Sequence, residues 1–260
     1  MIDKDKVEKN FESYVGKYNL NDPKIHLKVT HTYRVANLSE KIAKSLSLSE
    51  EEVKLAWLIG MLHDLGRFEQ LKVYGTFEDA KSIDHALCSA RFLFDEDHIR
   101  DYIEQDDYDA VIQAAVAYHS LYRLPDDLSE RQLLYCTILR DADKIDILKV
   151  NVEESLESIY GASAEEIAKA EITQEVLQAF LEKHAVNHSL KKTVIDRSVG
   201  HASLVFELVY PISVQIVKEQ GYLKKILDFE SQNPKTGQQY EQMRQCMEKF
   251  LTDFDKNKKI

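Results

Sequence analysis

Glycine and proline are scarce in this chain, which has eight glycines and four prolines among its 260 residues. Folds with many short strands need frequent turns, and turns draw heavily on these two residues. No segment sustains the alternation of apolar and polar residues that marks a strand, whereas apolar residues recur every three or four positions in many segments. The sequence therefore argues against a β-rich fold and predicts an all-α protein.

Cysteine is also scarce, with three residues in the whole chain. Cys88, Cys136 and Cys246 are far apart, odd in number and without a C-x-x-C pattern, which argues against a disulfide framework and against thiolate metal ligands. A chain of this length can bury a core without covalent cross-links. We expect reduced thiols in a cytoplasmic protein.

Long apolar runs and an excess of positive charge are missing too. No segment approaches the roughly 20 apolar residues that a membrane-spanning helix needs. The first residues, MIDKDKVEKN, are charged, unlike a signal peptide. The 45 acidic and 34 basic residues give a net charge of −11, which repels polyanions. We expect neither a membrane nor a long nucleic acid as a partner.

The segment 53–67, VKLAWLIGMLHDLGR, is apolar at almost every position up to Leu62. A helix that is apolar nearly all round is a core helix. This one leads to His63 and Asp64, and Gly66 is placed to end it in a left-handed conformation. A buried carboxylate needs compensation, which a metal ion could supply. The alternative is a hydrogen-bonded His-Asp pair that caps the helix.

Three further histidines occupy predicted buried positions. His31 lies on the apolar stripe of a helix that begins near Lys24, and His119 lies on the apolar face of a helix over 109–120. The segment 68–84 is predicted to be mostly loop, and His85 follows it in the first turn of a helix. His98 is predicted to be exposed, and His184, His188 and His201 to be structural or on the surface.

A long helix is predicted from about residue 130 to residue 150, and it contains the sequence DADKID. Asp141 and Asp143 lie on neighbouring apolar faces, and periodicity does not choose between them. Four histidines and at least two carboxylates on buried faces indicate a metal site. Imidazole and carboxylate ligands without thiolates favour Mn, Fe, Co, Ni or Zn.

The order His31, then His63-Asp64, then an aspartate within DADKID resembles the HD domain superfamily of metal-dependent phosphohydrolases. The resemblance covers about residues 24–150 and implies an HD-domain helical bundle. It also favours Asp143 as the last ligand, because the family's last aspartate usually precedes a basic residue, here Lys144.

Two additional histidines resemble those of the binuclear branch of the superfamily. That resemblance implies two divalent ions, with Mg also a candidate. The first would be held by His31, His63, Asp64 and Asp143, and the second by His85 and His119, with Asp64 bridging the two ions. It implies a metal-activated hydroxide that attacks a small phosphorylated substrate, either a nucleotide or another metabolite. The expected phosphate-binding residues are Arg67 and Lys144 first, then Arg34 and Arg123.

The substrate is not assigned by the sequence. His119 is followed by SLYRLP rather than by the Gly-Tyr-Pro element of cyclic dinucleotide phosphodiesterases. The Glu-Asp pair of (p)ppGpp hydrolases is absent after Asp64, and Arg67 replaces the glutamate of some deoxynucleotide phosphatases. Two other functions stay open, a di-iron oxygenase of the HD type and a non-catalytic nucleotide-sensing module.

The predicted domain organisation is an HD domain over residues 1–155 and a helical extension over residues 156–260 that packs on it. The core of the HD domain spans about 24–150. No flexible linker or internal repeat separates the two parts. The long C-terminal helices could form a partner surface or a homodimer interface.

Overall fold

The computed structural model of the protein describes residues 2–155, 157, 159 and 161–257. This part of the chain is largely helical and contains no β-strand, so the predicted all-α class is confirmed. The chain divides into two compact units, Met1–Asp143 and Lys144–Ile260. The predicted domain boundary involves residue 156, which lies outside the described residues, and it stays a prediction.

The first unit contains seven consecutive α-helices and the first half of an eighth. Its elements are α1 (Lys4–Val15), α2 (Pro23–Ser45), α3 (Glu50–Leu62), α4 (Leu65–Tyr74), a short 3-10 helix (Asp79–Lys81), α5 (His85–Phe94), α6 (Ile99–Tyr102), α7 (Asp109–Tyr118) and α8 (Glu130–Glu153), which continues into the second unit.

Helix α3 is the core helix of the first unit, as its sequence predicts. Its residues 55–62 are all buried, and a capping box between Ser49 and Glu52 fixes its first turn. Helix α2 packs closely along it. A Cβ atom on Gly60 would lie 2.5 Å from the Cα of Ala36, so the glycine permits the two backbones to approach. This packing brings His31 of α2 beside the end of α3.

Gly66 does not end a helix, and that expectation was wrong. Helix α3 stops at Leu62, and Gly66 lies in the first turn of α4. A Cβ atom on Gly66 would lie 2.5 Å from the carbonyl oxygen of His85, so the absent side chain allows α4 and α5 to touch. The loop predicted over 68–84 was wrong for residues 68–74, because α4 buries Phe68 and Leu71 and continues to Tyr74, whereas residues 75–84 are irregular apart from the short 3-10 helix.

The second unit is helical throughout its described residues. After α8 it contains α9 (Ala164–Lys169), α10 (Gln174–Leu181), a 3-10 helix (His188–Leu190), α11 (Val194–Ser203), a 3-10 helix (Leu204–Glu207), α12 (Pro211–Gln220), α13 (Tyr222–Leu227) and α14 (Pro234–Asn257). Nowhere in the described part of the chain is a helix long and apolar enough to cross a membrane.

Candidate metal centre

The structure brings the six predicted metal ligands together inside the first unit. Five of the six are almost fully buried, and the side chain of Asp143 is 18% exposed. The ligands are His31 in α2, His63 and Asp64 at the junction of α3 and α4, His85 at the start of α5, His119 directly after α7, and Asp143 in α8.

Asp64 is the centre of the cluster, and its two oxygen atoms face different histidines. Oδ2 lies 3.6 Å from Nε2 of His31 and 3.6 Å from Nε2 of His63. Oδ1 lies 3.5 Å from Nε2 of His85 and 3.6 Å from Nε2 of His119. The carboxylate therefore joins two groups of potential ligands, His31-His63-Asp64 and Asp64-His85-His119, each compact enough to hold one metal ion.

Asp143 completes the first group. Its Oδ1 lies 3.1 Å from Nε2 of His31, the same nitrogen atom that faces Oδ2 of Asp64. The periodicity of α8 left Asp141 and Asp143 as alternatives, and the geometry places Asp143 at the cluster.

Three of the histidine rings are oriented through their Nδ1 atoms. Nδ1 of His63 is 2.7 Å from the carbonyl oxygen of Gly60, and Nδ1 of His119 is 2.8 Å from the carbonyl oxygen of Val116. Nδ1 of His85 is 2.6 Å from Oδ2 of Asp79. Each of these oxygens accepts a hydrogen bond, so each Nδ1 carries the proton and each neutral ring presents an unprotonated Nε2 to the cluster.

The arrangement of these Nε2 atoms suits a cation. Nε2 of His85 and Nε2 of His119 are only 3.0 Å apart, and two facing lone pairs at this distance repel each other. A positive ion that accepts both lone pairs relieves the repulsion. The rings are therefore preorganised for a metal ion.

The pKa values follow from the burial and charges of the cluster. Burial lowers the pKa of His63 to about 3. Burial and then the Arg67 cation lower the pKa of His85 to about 4, against the opposing effect of Asp79. Burial alone raises the pKa of Asp64, but Lys28 and His63 outweigh it and hold that pKa well below its usual value. Ionised carboxylates and neutral imidazoles are the forms that bind metals.

Three buried polar atoms in this region make no hydrogen bond within the described part of the chain. They are Nε2 of His63, Oδ1 of Asp64 and Nε of Arg67. Buried polar atoms normally have partners, and a histidine nitrogen beside a carboxylate oxygen is a pair of metal-ligand atoms. The residues present therefore fit a bound divalent ion.

Two residues of this region were missed by the sequence analysis. Lys28 lies one turn before His31 in α2, and its Nζ is 2.8 Å from Oδ2 of Asp64. Its position relative to His31 was a signal that could have identified it. Asp79 lies in the segment that was predicted to be mostly loop, and no periodicity could have identified its contact with His85.

The four predicted phosphate-binding cations have different surroundings. Arg67 is mostly buried, and its Nη1 donates to Gln70, Asp79 and the carbonyl oxygen of Phe77. Lys144 belongs to the second unit and forms a 2.7 Å ion pair with Glu207. Arg123 is exposed and Arg34 is half-buried. The roles of these four residues in phosphate binding stay predictions.

The remaining histidines and cysteines lie apart from the cluster's contacts. His98 stacks on Phe92 at the surface, and His201 contacts Asn151 within the second unit. His26, His184 and His188 are exposed. The three cysteines are free thiols.

The fold and the cluster define an α-helical protein with a buried histidine-aspartate centre suited to divalent ions. Residues 29–148 match the family model of the HD domain. This part of the chain is an HD domain, and the resemblance inferred from the sequence is confirmed. Proteins with this domain are in general metal-dependent hydrolases. Comparisons with curated proteins and with solved structures gave no significant match.

Proposed function

We propose that the protein is a metal-dependent phosphohydrolase that acts on a small phosphorylated metabolite such as a nucleotide. The observation that carries this proposal is the convergence of three buried atoms without partners in the described residues, Nε2 of His63, Oδ1 of Asp64 and Nε of Arg67. The first two attract a cation, and the third is a donor available to an anionic oxygen. A centre that binds a metal ion and an anion side by side suits phosphoester hydrolysis.

The proposed centre binds two ions. His31, His63, Asp64 and Asp143 would hold one, while Asp64, His85 and His119 would hold the other. Asp64 would serve both, because Oδ2 faces His31 and Oδ1 faces His85. Bound divalent ions supply a nucleophile at neutral pH and stabilise negative charge on a transferring phosphoryl group.

Arg67 and Lys28 are the proposed contacts for the phosphate. Nε of Arg67 is 3.7 Å from Oδ1 of Asp64, and Nζ of Lys28 is 2.8 Å from Oδ2 of the same residue. One cation therefore lies beside each oxygen of the Asp64 carboxylate. An anionic group that approaches Asp64 meets both of them, which orients it and offsets its charge.

The chain's residues also hold the ring protons of two histidines away from the atoms that would bind the metal ions. His63 and His119 keep their Nδ1 protons on backbone carbonyls, so their Nε2 atoms stay available as ligands. Burial of the five inner ligands excludes bulk water and strengthens each charge interaction within the centre.

The test is an anaerobic hydrolysis assay of the Mn²⁺-loaded protein, which follows release of p-nitrophenol from p-nitrophenyl phosphate and bis-p-nitrophenyl phosphate and release of phosphate from a set of nucleotides. We expect hydrolysis that is lost in Asp64→Asn and kept in His184→Gln, because His184 is exposed in the second unit. Absence of hydrolysis by protein that has taken up Mn²⁺ would overturn the proposal. Substrate consumption that requires iron and O₂ would instead favour the HD-type oxygenase.

A further inference from the structure

Residues 75–84, named here the connecting segment, join α4 to α5. Gly75 begins the segment with φ of 69°, and Asp84 ends it by capping α5 through the backbone N–H of Leu87. Between them lies the short 3-10 helix Asp79–Lys81. The segment therefore leads directly into His85, which is the first residue of α5.

Asp79 is the residue of this segment that contacts a proposed metal ligand. Its Oδ2 accepts a 2.6 Å hydrogen bond from Nδ1 of His85. Its Oδ1 accepts hydrogen bonds of 2.8 Å from Nη1 of Arg67 and 2.8 Å from Nε2 of Gln70. The carboxylate is thus held on three sides and cannot turn away from His85 without breaking two further bonds.

This contact distinguishes His85 from His63 and His119, the two other proposed metal ligands whose Nδ1 contacts are described above. The Nδ1 protons of His63 and His119 are accepted by backbone carbonyls, which are neutral and belong to the helix that each residue follows. His85 is the first residue of its helix, so no preceding helical turn can supply a carbonyl. A side chain from the connecting segment takes that place, and it carries a full negative charge.

Asp79 lies on the Nδ1 side of the His85 ring, opposite the Nε2 atom that faces His119 and Asp64. It therefore does not share the centre with the ligands. A carboxylate that accepts the second ring proton of a histidine ligand orients the ring and strengthens its lone pair as a donor.

We infer that Asp79 is a positioning residue that selectively supports the ion held by Asp64, His85 and His119. This inference rests on the binuclear centre of the proposed function. Its consequence is that the two ions respond unequally to loss of Asp79. The ion held by His31, His63, Asp64 and Asp143 does not depend on it.

The experiment is Mn²⁺ binding to the full-length protein by anaerobic equilibrium dialysis and calorimetry, for the wild type, Asp79→Ala, Asp79→Asn and Ser82→Ala. Ser82 is the matched control, because it belongs to the same segment. Its hydroxyl contacts Gln70 of α4 and the backbone carbonyl of Glu78, and it makes no hydrogen bond with His85 among the described contacts. We expect Asp79→Ala to weaken one of two sites by about 10–100-fold and to leave the other unchanged. Asp79→Asn keeps a neutral acceptor, so its loss should be smaller, and Ser82→Ala should bind as the wild type does.

A second measurement uses the wild-type protein, so it does not require any variant to fold. Long-range ¹H–¹⁵N spectra of the metal-free wild type, with ¹⁵N-labelled histidine, should assign the proton of His85 to Nδ1. A proton on Nε2 would overturn the inference, as would two unaltered sites in Asp79→Ala. A wild type that binds fewer than two ions overturns the binuclear proposal itself. Equal weakening in Ser82→Ala would assign the effect to the segment rather than to the carboxylate and would also overturn the inference.

Discussion

Nζ of Lys28 lies 2.8 Å from Oδ2 of Asp64, and the side chains are 15% and 3% exposed. The ammonium group contacts the same carboxylate oxygen that faces His31 and His63. In the metal-free protein this ion pair offsets the charge of a buried aspartate. Lys28 and a metal ion can thus each offset the negative charge of the Asp64 carboxylate.

Substitution of Lys28 by methionine should therefore destabilise the metal-free protein more than the metal-loaded protein. Removing one partner of a buried ion pair leaves the other charge uncompensated, and we expect a loss of about 3 kcal/mol in the free energy of unfolding. Added Mn²⁺ should recover most of it. Urea denaturation with EDTA and with Mn²⁺ measures both values. An equal loss in the two conditions would contradict the idea that Lys28 and the metal have overlapping roles.

Asp64 and His119 should differ in how many ions their loss removes. Asp64→Ala removes the carboxylate that both ligand groups share, so we expect no bound ion and no activity. His119→Ala affects one group, and we expect one ion to remain. Elemental analysis after dialysis against Mn²⁺ gives the number of ions per chain. Two ions in Asp64→Ala would refute the bridging role.

Arg67→Gln should raise KM for a phosphorylated substrate while metal content stays the same. Loss of a hydrogen bond to a charged group costs about 1.5–3 kcal/mol, which corresponds to a KM roughly tenfold or more above that of the wild type. Asp79 remains held by Gln70, so the His85 contact should survive. Lys72→Gln on the exposed side of α4 is the control. An unchanged KM would leave Arg67 as a structural residue.

Gly60→Ala should separate α2 from α3, because the new Cβ would lie 2.5 Å from the Cα and 2.9 Å from the backbone nitrogen of Ala36. We expect a loss of about 1–3 kcal/mol in the free energy of unfolding together with weaker metal binding, since His31 belongs to α2 and His63 directly follows α3. Gly237→Ala is the matched control. No atom lies within 4 Å of its Cβ position in α14, and alanine there should stabilise the helix slightly. Equal melting temperatures for both variants would contradict the close approach.

The metal-free protein should lose stability as pH falls from 6.5 towards 4.5. The folded-state pKa values of His63 and His85, about 3 and about 4, lie below the unfolded value of 6.5. In this window the unfolded chain binds protons that the folded chain does not, which lowers stability by about 1.4 kcal/mol per pH unit for each histidine. His63→Gln should reduce that slope. Denaturation midpoints that do not vary with pH would refute the depressed pKa values.

Much of the fold and of the centre could be predicted because the information is local. The all-α class follows from periodicity and scarce turn residues, and the positions of His31 and His119 follow from the apolar faces that they share. His63 and Asp64 stand out because they directly follow a helical segment that is apolar at almost every position. Resemblance to the HD signature favoured Asp143 over Asp141, a choice that periodicity alone did not make.

The wrong predictions concern residues that pack against parts of the chain distant in sequence. The interpretation of Gly66 as a helix end failed because its importance comes from the closeness of α5, about 20 residues further along. The same contact, together with burial of Phe68 and Leu71, extends α4 through residues that were assigned to a loop. The helix propensity of a short segment gives no information about its contacts with residues far away in the sequence.

The sequence by itself determined that the candidate histidine ligands and Asp64 lie on buried faces, that they are able to bind a metal ion, and the order in which the chain presents them. Tertiary structure alone decided that the two oxygens of Asp64 face separate histidine pairs, that Lys28 contacts one of them, and that Asp79 orients His85. The physical reason is that helical periodicity shows which face of a helix is buried, but not which part of the protein packs against that face. Which side chains meet across that face depends on how closely the helices pack.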